Sequence, residues 1–126
     1  MSGGAASLQK IVCTVMLLSN QIQGVFIMTY EKVLEVFRDY LTEDDSCEVL
    51  SASRGYLVVD WSSCKSEWVT SRLCQTPEHL RDVLRSRYEE YQGYLLTNGY
   101  KRDVLPQEEQ DIQRMGAALA DLCDKN

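Results

Sequence analysis

The chain has 126 residues, 44% of them hydrophobic and 25% charged, with a formal net charge of −6. That is the size of one globular domain, long enough to bury a core without disulfides or a structural metal. All 19 acidic residues lie from Glu31 onward, and such a body is repelled by nucleic-acid phosphates and anionic membranes, which leaves a basic surface as its natural charged partner.

Residues 1–27 read as a leader distinct from the body at 28–126. Met1 to Ser7 reads as a stretch of small residues of flexible type, Ile11 to Leu18 is an apolar run broken only by Thr14, and Val25 to Met28 is a second short run. Neither approaches the ~20 apolar residues needed to cross a bilayer. Three readings of the leader are open. Met28 is the natural start and the leader an upstream extension; the leader adds a strand or helix to the domain; or Lys10 and the run at 11–18 form a signal peptide. The first is favoured by the clean helix start at Thr29.

The first helix is predicted from Tyr30 to Leu41, capped by Thr29, with Tyr30, Val33, Leu34, Phe37, Tyr40 and Leu41 on one face. Glu43, Asp44 and Asp45 follow at its C-terminal end, where the helix dipole disfavours negative charge. Cys47 to Ser53 is a short strand, and Arg54-Gly55 a tight turn. Tyr56 to Trp61, β-branched and aromatic, is the best strand in the chain, with Leu57, Val59 and Trp61 on one side and Tyr56, Val58 and Asp60 on the other. Trp68 to Cys74 makes a third strand, and the three form a meander.

The second helix is predicted from Thr76 to Gly99, with Thr76 as cap, Pro77 at its first position and Asn98-Gly99 as its stop. Leu80, Val83, Leu84, Tyr88, Tyr91 and Leu95 form its apolar stripe. Pro106 opens the third helix, with Glu108, Glu109 and Asp111 in its early turns and a stripe of Ile112, Met115, Leu119 and Leu122.

Known catalytic and metal signatures do not occur: no GxSxG, P-loop, GxGxxG, HExxH or EF-hand spacing. Five cysteines stand at 13, 47, 64, 74 and 123 without a CxxC, beside a lone histidine, His79; reduced, mostly buried thiols in a cytoplasmic protein fit that pattern. A thiol–imidazole pair could only join Cys74 to His79. The acids at 43–45, Asp60, Glu67, Glu89 and Glu90, with the tyrosines of the second helix, are the candidate contact residues, because tyrosine is favoured at protein interfaces. Arg81, Arg85 and Arg87 form a basic counter-surface on the same helix.

The order helix, three-strand meander, helix, helix over an acidic body resembles some anti-CRISPR proteins of mobile elements. The resemblance rests on Tyr30–Leu41, Cys47–Cys74, Thr76–Gly99 and Pro106–Leu122 together with the acids, not on a motif. It implies an inhibitor that occupies the DNA-binding surface of a nuclease, and it transfers no individual residue role.

The expectation is therefore an α+β domain, a three-stranded antiparallel meander with two helices on one face and a third completing it. Its function is expected to be non-enzymatic and without cofactor: binding a protein partner with a basic surface through Glu43, Asp44, Asp45, Asp60, Glu67, Glu89, Glu90 and Tyr94, with no direct contact to nucleic acid or membrane. The alternative is a self-associating module that joins copies through Tyr94, Trp68 and the apolar leader.

Overall fold

Thr29 opens the ordered architecture: its side chain accepts the Lys32 N–H and caps α1, Tyr30–Val36. The chain continues through α2 (Arg38–Glu43), β1 (Cys47–Ala52), β2 (Gly55–Ser62), β3 (Glu67–Cys74), α3 (Pro77–Leu96) and α4 (Pro106–Leu122). This computed structural model describes residues 26–125; the expectations for the leader before Phe26 lie outside them. Phe26 itself packs on the core, and Met28 is buried.

The fold is the expected α+β arrangement, with the sheet in the order β1-β2-β3 and both pairings antiparallel. Gly55 makes the tight β1–β2 turn possible. Its φ is +138°, and a Cβ there would run into the Cys74 carbonyl, so only glycine fits without moving backbone.

The first helix differs from expectation. It reaches Glu43 rather than Leu41 and leaves helical geometry at Phe37 (φ −94°, ψ 8°). The hydrogen-bond ladder nevertheless runs through the break, from Phe37 N–H to Val33 O and from Leu41 N–H to Phe37 O. Phe37 is fully buried, so the local distortion accompanies the seating of its ring in the core.

The core lies between one sheet face and the helices. Val33, Phe37 and Tyr40 from α1 and α2, Cys47, Val58 and Cys74 from the sheet, and Leu80, Val83 and Leu84 from α3 form one cluster, closed by Cys123. Of the two sides of β2, the one carrying Tyr56 and Val58 faces the helices. Two predicted stripes shift at their ends. Leu95 of α3 is exposed, and in α4 the buried line is Ile112, Gly116 and Ala120, with Met115 and Leu122 exposed. The small residues let α4 lie close against α3, where a Cβ on Gly116 would collide with the Glu89 carboxylate, and that close approach moves the contact line away from the bulkier side chains.

Candidate functional site

The last turn of α3 and the α2–β1 connection face each other across a cleft of about 540 Å³. Its walls carry Glu43, Asp44, Asp45 and Ser46 on one side and Glu90, Tyr91, Tyr94 and Tyr100 on the other, with Arg87 and Ser63 also contributing. Five of the eight sequence-selected contact residues therefore converge here: Glu43, Asp44, Asp45, Glu90 and Tyr94.

Asp44 plays a different part from its neighbours. It is 4% exposed. Its Oδ2 accepts the Tyr40 hydroxyl at 2.7 Å, and its Oδ1 accepts the Ser46 N–H at 3.0 Å and the Ser46 hydroxyl at 2.7 Å. A carboxylate with both oxygens taken in this way is a structural group, and it folds the α2–β1 corner so that Glu43 and Asp45 stay exposed on either side.

Arg87 underlies the cleft. Its Nε lies 3.1 Å from Asp60 Oδ1, and its Nη1 donates to Glu90 Oε1 at 3.0 Å. Nε and Oδ1 are close enough to pair as charges but are not aligned as donor and acceptor, so the contact is an ion pair rather than a directed hydrogen bond. Burial opposes the Arg87 charge, but Asp60 and Tyr40 more than offset it and hold the guanidinium firmly protonated. Asp60, on the helix-facing side of β2, is thus internally paired.

The aromatic wall is built in layers. Tyr40 meets Tyr88 and Tyr91 edge to face, with ring centroids 5.8 Å and 5.7 Å apart. Above them Tyr94, 50% exposed, meets Tyr100 at 5.8 Å. Tyr100 is held there by the turn after α3. Asn98, Gly99 and Tyr100 all have positive φ, which is strained for a tyrosine. Buried Thr97 fixes this turn by donating its hydroxyl to Gly93 O and accepting the Tyr100 N–H, while the Tyr100 hydroxyl donates to Glu90 O. Burial, and the nearby Glu43, Asp44 and Asp45 carboxylates, push the Tyr91 phenol upward; burial, with Glu43 and Glu89, does the same for Tyr88. The Tyr88 and Tyr91 phenols therefore remain protonated inside a negative field.

The other three selected residues lie elsewhere. Glu89 pairs with Arg85 at 2.8 Å against α4. Glu67 is exposed at the start of β3, opposite Ser62. Asp60 is committed to Arg87. Arg81 and Arg85 are paired as well, to Asp82 and Asp124 and to Glu89, so the basic counter-surface is largely neutralised in place. Tyr100 was not selected from the sequence as a contact residue, Arg87 was read as part of a basic counter-surface, and Tyr91 was placed in the apolar stripe as well as among the tyrosines of the helix. Tyr100 stands just past a predicted helix stop, and the positive-φ turn that brings it back over Glu90 has only Asn98-Gly99 as its signal.

Three of the four described thiols are withdrawn from solvent. Cys47, Cys74 and Cys123 are buried, and burial pushes each of them up. The Cys74 thiol donates to Arg72 O within its own strand, and His79 is an exposed first-turn residue of α3 whose backbone N–H serves the Thr76 cap. Among the described residues, no group of three or more His, Cys, Asp or Glu side chains is placed to hold a metal ion, and no helix is long and apolar enough to cross a membrane. Comparison with known protein families, with characterised proteins and with solved structures returns no match.

The cleft brings carboxylates, phenol rings and phenol hydroxyls together around a space large enough for an extended side chain. Such a lining attracts a cation twice over, through its carboxylates and through the negative faces of its rings.

Proposed function

We propose that the protein is a non-enzymatic binding protein whose acidic, tyrosine-walled cleft takes up an arginine or lysine side chain from a basic surface of a protein partner. The observation that carries this reading is the meeting of Glu43, Asp45 and Glu90 with Tyr91, Tyr94 and Tyr100 around one cleft. Carboxylates beside open ring faces suit a guanidinium, which hydrogen-bonds in plane and stacks by its face. A cation over one such ring contributes roughly 0.5–2 kcal/mol, depending on how dry the site is. A partner surface that otherwise holds phosphates offers such side chains in number. Occupying it would inhibit a nucleic-acid-handling complex such as a guided nuclease, by the same charge complementarity that speeds encounter and selects partners.

Fluorescence anisotropy with a labelled nona-arginine peptide tests the recognition step. The triple variant Glu43→Gln, Asp45→Asn, Glu90→Gln should weaken binding at least about tenfold. A charge-matched control, Asp103→Asn, Glu109→Gln, Asp121→Asn, removes three exposed acids away from the cleft and should leave most of the affinity. Equal loss in both variants would reduce the interaction to net charge and remove the cleft from it.

A further inference from the structure

The side of the sheet turned away from the helices carries a part-exposed apolar row around a buried Val59. The register sets Leu50 opposite Leu57 and Leu57 opposite Leu73, one row of leucines across all three strands. Alternation along β2 puts Val59 and Trp61 on the same side, and neither Leu57 nor Val59 belongs to the helix-side cluster. A β-bulge between Asp60 and Trp61 accompanies the meeting of Trp61 with Trp68, edge to face at 5.2 Å. Leu50, Leu73 and both tryptophans are between 38% and 44% exposed. Soluble chains rarely leave such a face bare.

The chain itself supplies a matching segment. Ile11–Leu18 is apolar at every position but Thr14. It is tethered on the helix side of the sheet, beside the end of the edge strand β3. Phe26 packs on the core, and the Tyr30 hydroxyl, four residues on, donates to the Cys74 carbonyl beside Leu73. Eight residue steps separate Leu18 from Phe26, a reach of up to about 26–29 Å. That is enough to carry Leu18 around the edge strand β3 to Leu73, from where an extended run of eight residues, about 23–26 Å, matches the eight residues of β3. Residues 1–25 contain no acid, and their one basic residue, Lys10, precedes the run, so the run itself brings no charge onto the face; the face's own charge, Glu48 opposite Val59, is exposed on the edge strand β1. A second copy would instead set two equally acidic bodies against each other.

We propose that Ile11–Leu18 packs on this face of the sheet and covers the leucine row and the Trp61–Trp68 pair. Trp61 and Trp68 are the only tryptophans in the chain, so intrinsic fluorescence of the full-length protein reads this region alone. The unsubstituted chain should be monomeric by analytical ultracentrifugation, with blue-shifted emission and slow acrylamide quenching. In the double variant Val15→Asp, Leu17→Asp the emission should shift to the red and the quenching constant should rise about twofold as the rings open to water, with far-UV circular dichroism preserved. Should that variant fail to fold, the pair Leu50→Glu, Leu73→Glu changes only side chains already part-exposed in the body, and it should accelerate chymotrypsin cleavage at Leu17 and Leu18. Freely quenched tryptophans in the unsubstituted chain would overturn the assignment. So would an unchanged cleavage rate, or protection that appears only where a dimer forms and that the leader variants do not alter; the last result would give the face to a second copy.

Discussion

Replacing Asp44 by alanine separates the architecture of the cleft from its recognition. The substitution removes the acceptor for three donors, the Tyr40 hydroxyl, the Ser46 N–H and the Ser46 hydroxyl. The Ser46 hydroxyl can turn to water. The Tyr40 hydroxyl cannot, because its residue is 5% exposed and its ring is closed in by Tyr88 and Tyr91. A buried donor left without a partner costs about 1–3 kcal/mol; with the loss of the Ser46 N–H contact, Asp44→Ala should lower stability by about 3 kcal/mol. For a chain of this length that is a fall of about 10 °C in Tm. Tyr40→Phe removes one donor and leaves Asp44 two others, so it should cost about 1.5 kcal/mol. The double variant should cost less than the two single losses added together, because the hydroxyl that Asp44→Ala strands is no longer present. Urea unfolding followed by circular dichroism measures all three. Asp45→Ala, one residue on but exposed, should change stability by no more than about 0.5 kcal/mol while weakening the nona-arginine interaction. If Asp44→Ala leaves the urea midpoint unchanged and abolishes peptide binding, Asp44 faces the ligand and the account of the corner is wrong.

Other perturbations probe separate parts of the fold. Gly55→Ala forces a Cβ toward the Cys74 carbonyl at a φ of +138° and should destabilise by about 2–3 kcal/mol in the same urea assay. Gly116→Ala should be nearly neutral, since its clash is with the movable Glu89 side chain and alanine gains about 1 kcal/mol of helix propensity. Glu108 is held down to about 2 by Arg102 and by the Leu105 N–H. A carboxylate lowered by folding stabilises above its unfolded value, here 4.5, and that contribution fades as pH falls toward about 2; amide exchange at the start of α4 should quicken across that window and become insensitive to it in Glu108→Gln. The Tyr40 phenol is raised by burial and by its bond to Asp44. Its contribution is complete below the ordinary phenol value of 10 and is lost as pH rises above it, so alkaline unfolding should begin earlier in Asp44→Ala. Among the described thiols, iodoacetamide should modify exposed Cys64 at once and Cys47, Cys74 and Cys123 only on unfolding, a contrast that peptide mass spectrometry resolves.

The secondary structure was legible because each element carries its own local signal. Thr76-Pro77 caps and opens α3, Pro106 opens α4, and Arg54-Gly55 turns β1 into β2, in each case by backbone chemistry that needs no tertiary context. What the sequence left open was decided by packing. Periodicity could not say which side of β2 meets the helices, because Leu57 and Val59 are as apolar as Tyr56 and Val58. The choice falls to the side carrying Asp60, which meets Arg87 of α3. Nor could the α4 stripe be read from hydrophobicity, since close approach to α3 selects Gly116 and Ala120 over the larger Met115 and Leu122.

The same distinction governs the cleft. A run such as Glu43-Asp44-Asp45 reads as three equivalent charges in sequence, yet folding gives them opposite tasks. The middle carboxylate turns inward because Tyr40, four residues earlier, presents a buried hydroxyl that needs an acceptor, and a buried polar group without one is costly. Once Asp44 is fixed, its neighbours cannot follow it, and they stay exposed beside Tyr91 and Tyr94 of α3. Arg87 is consumed in the same way by Asp60 and Glu90, so the only guanidinium in the lining is already paired and the remaining surface stays negative. The internal pairings therefore set the sign of the cleft: they use up its one cation and leave Glu43 and Asp45 without any. That residual imbalance, beside tyrosine rings that meet edge to face, is the physical reason a basic side chain is the group the cleft should accept.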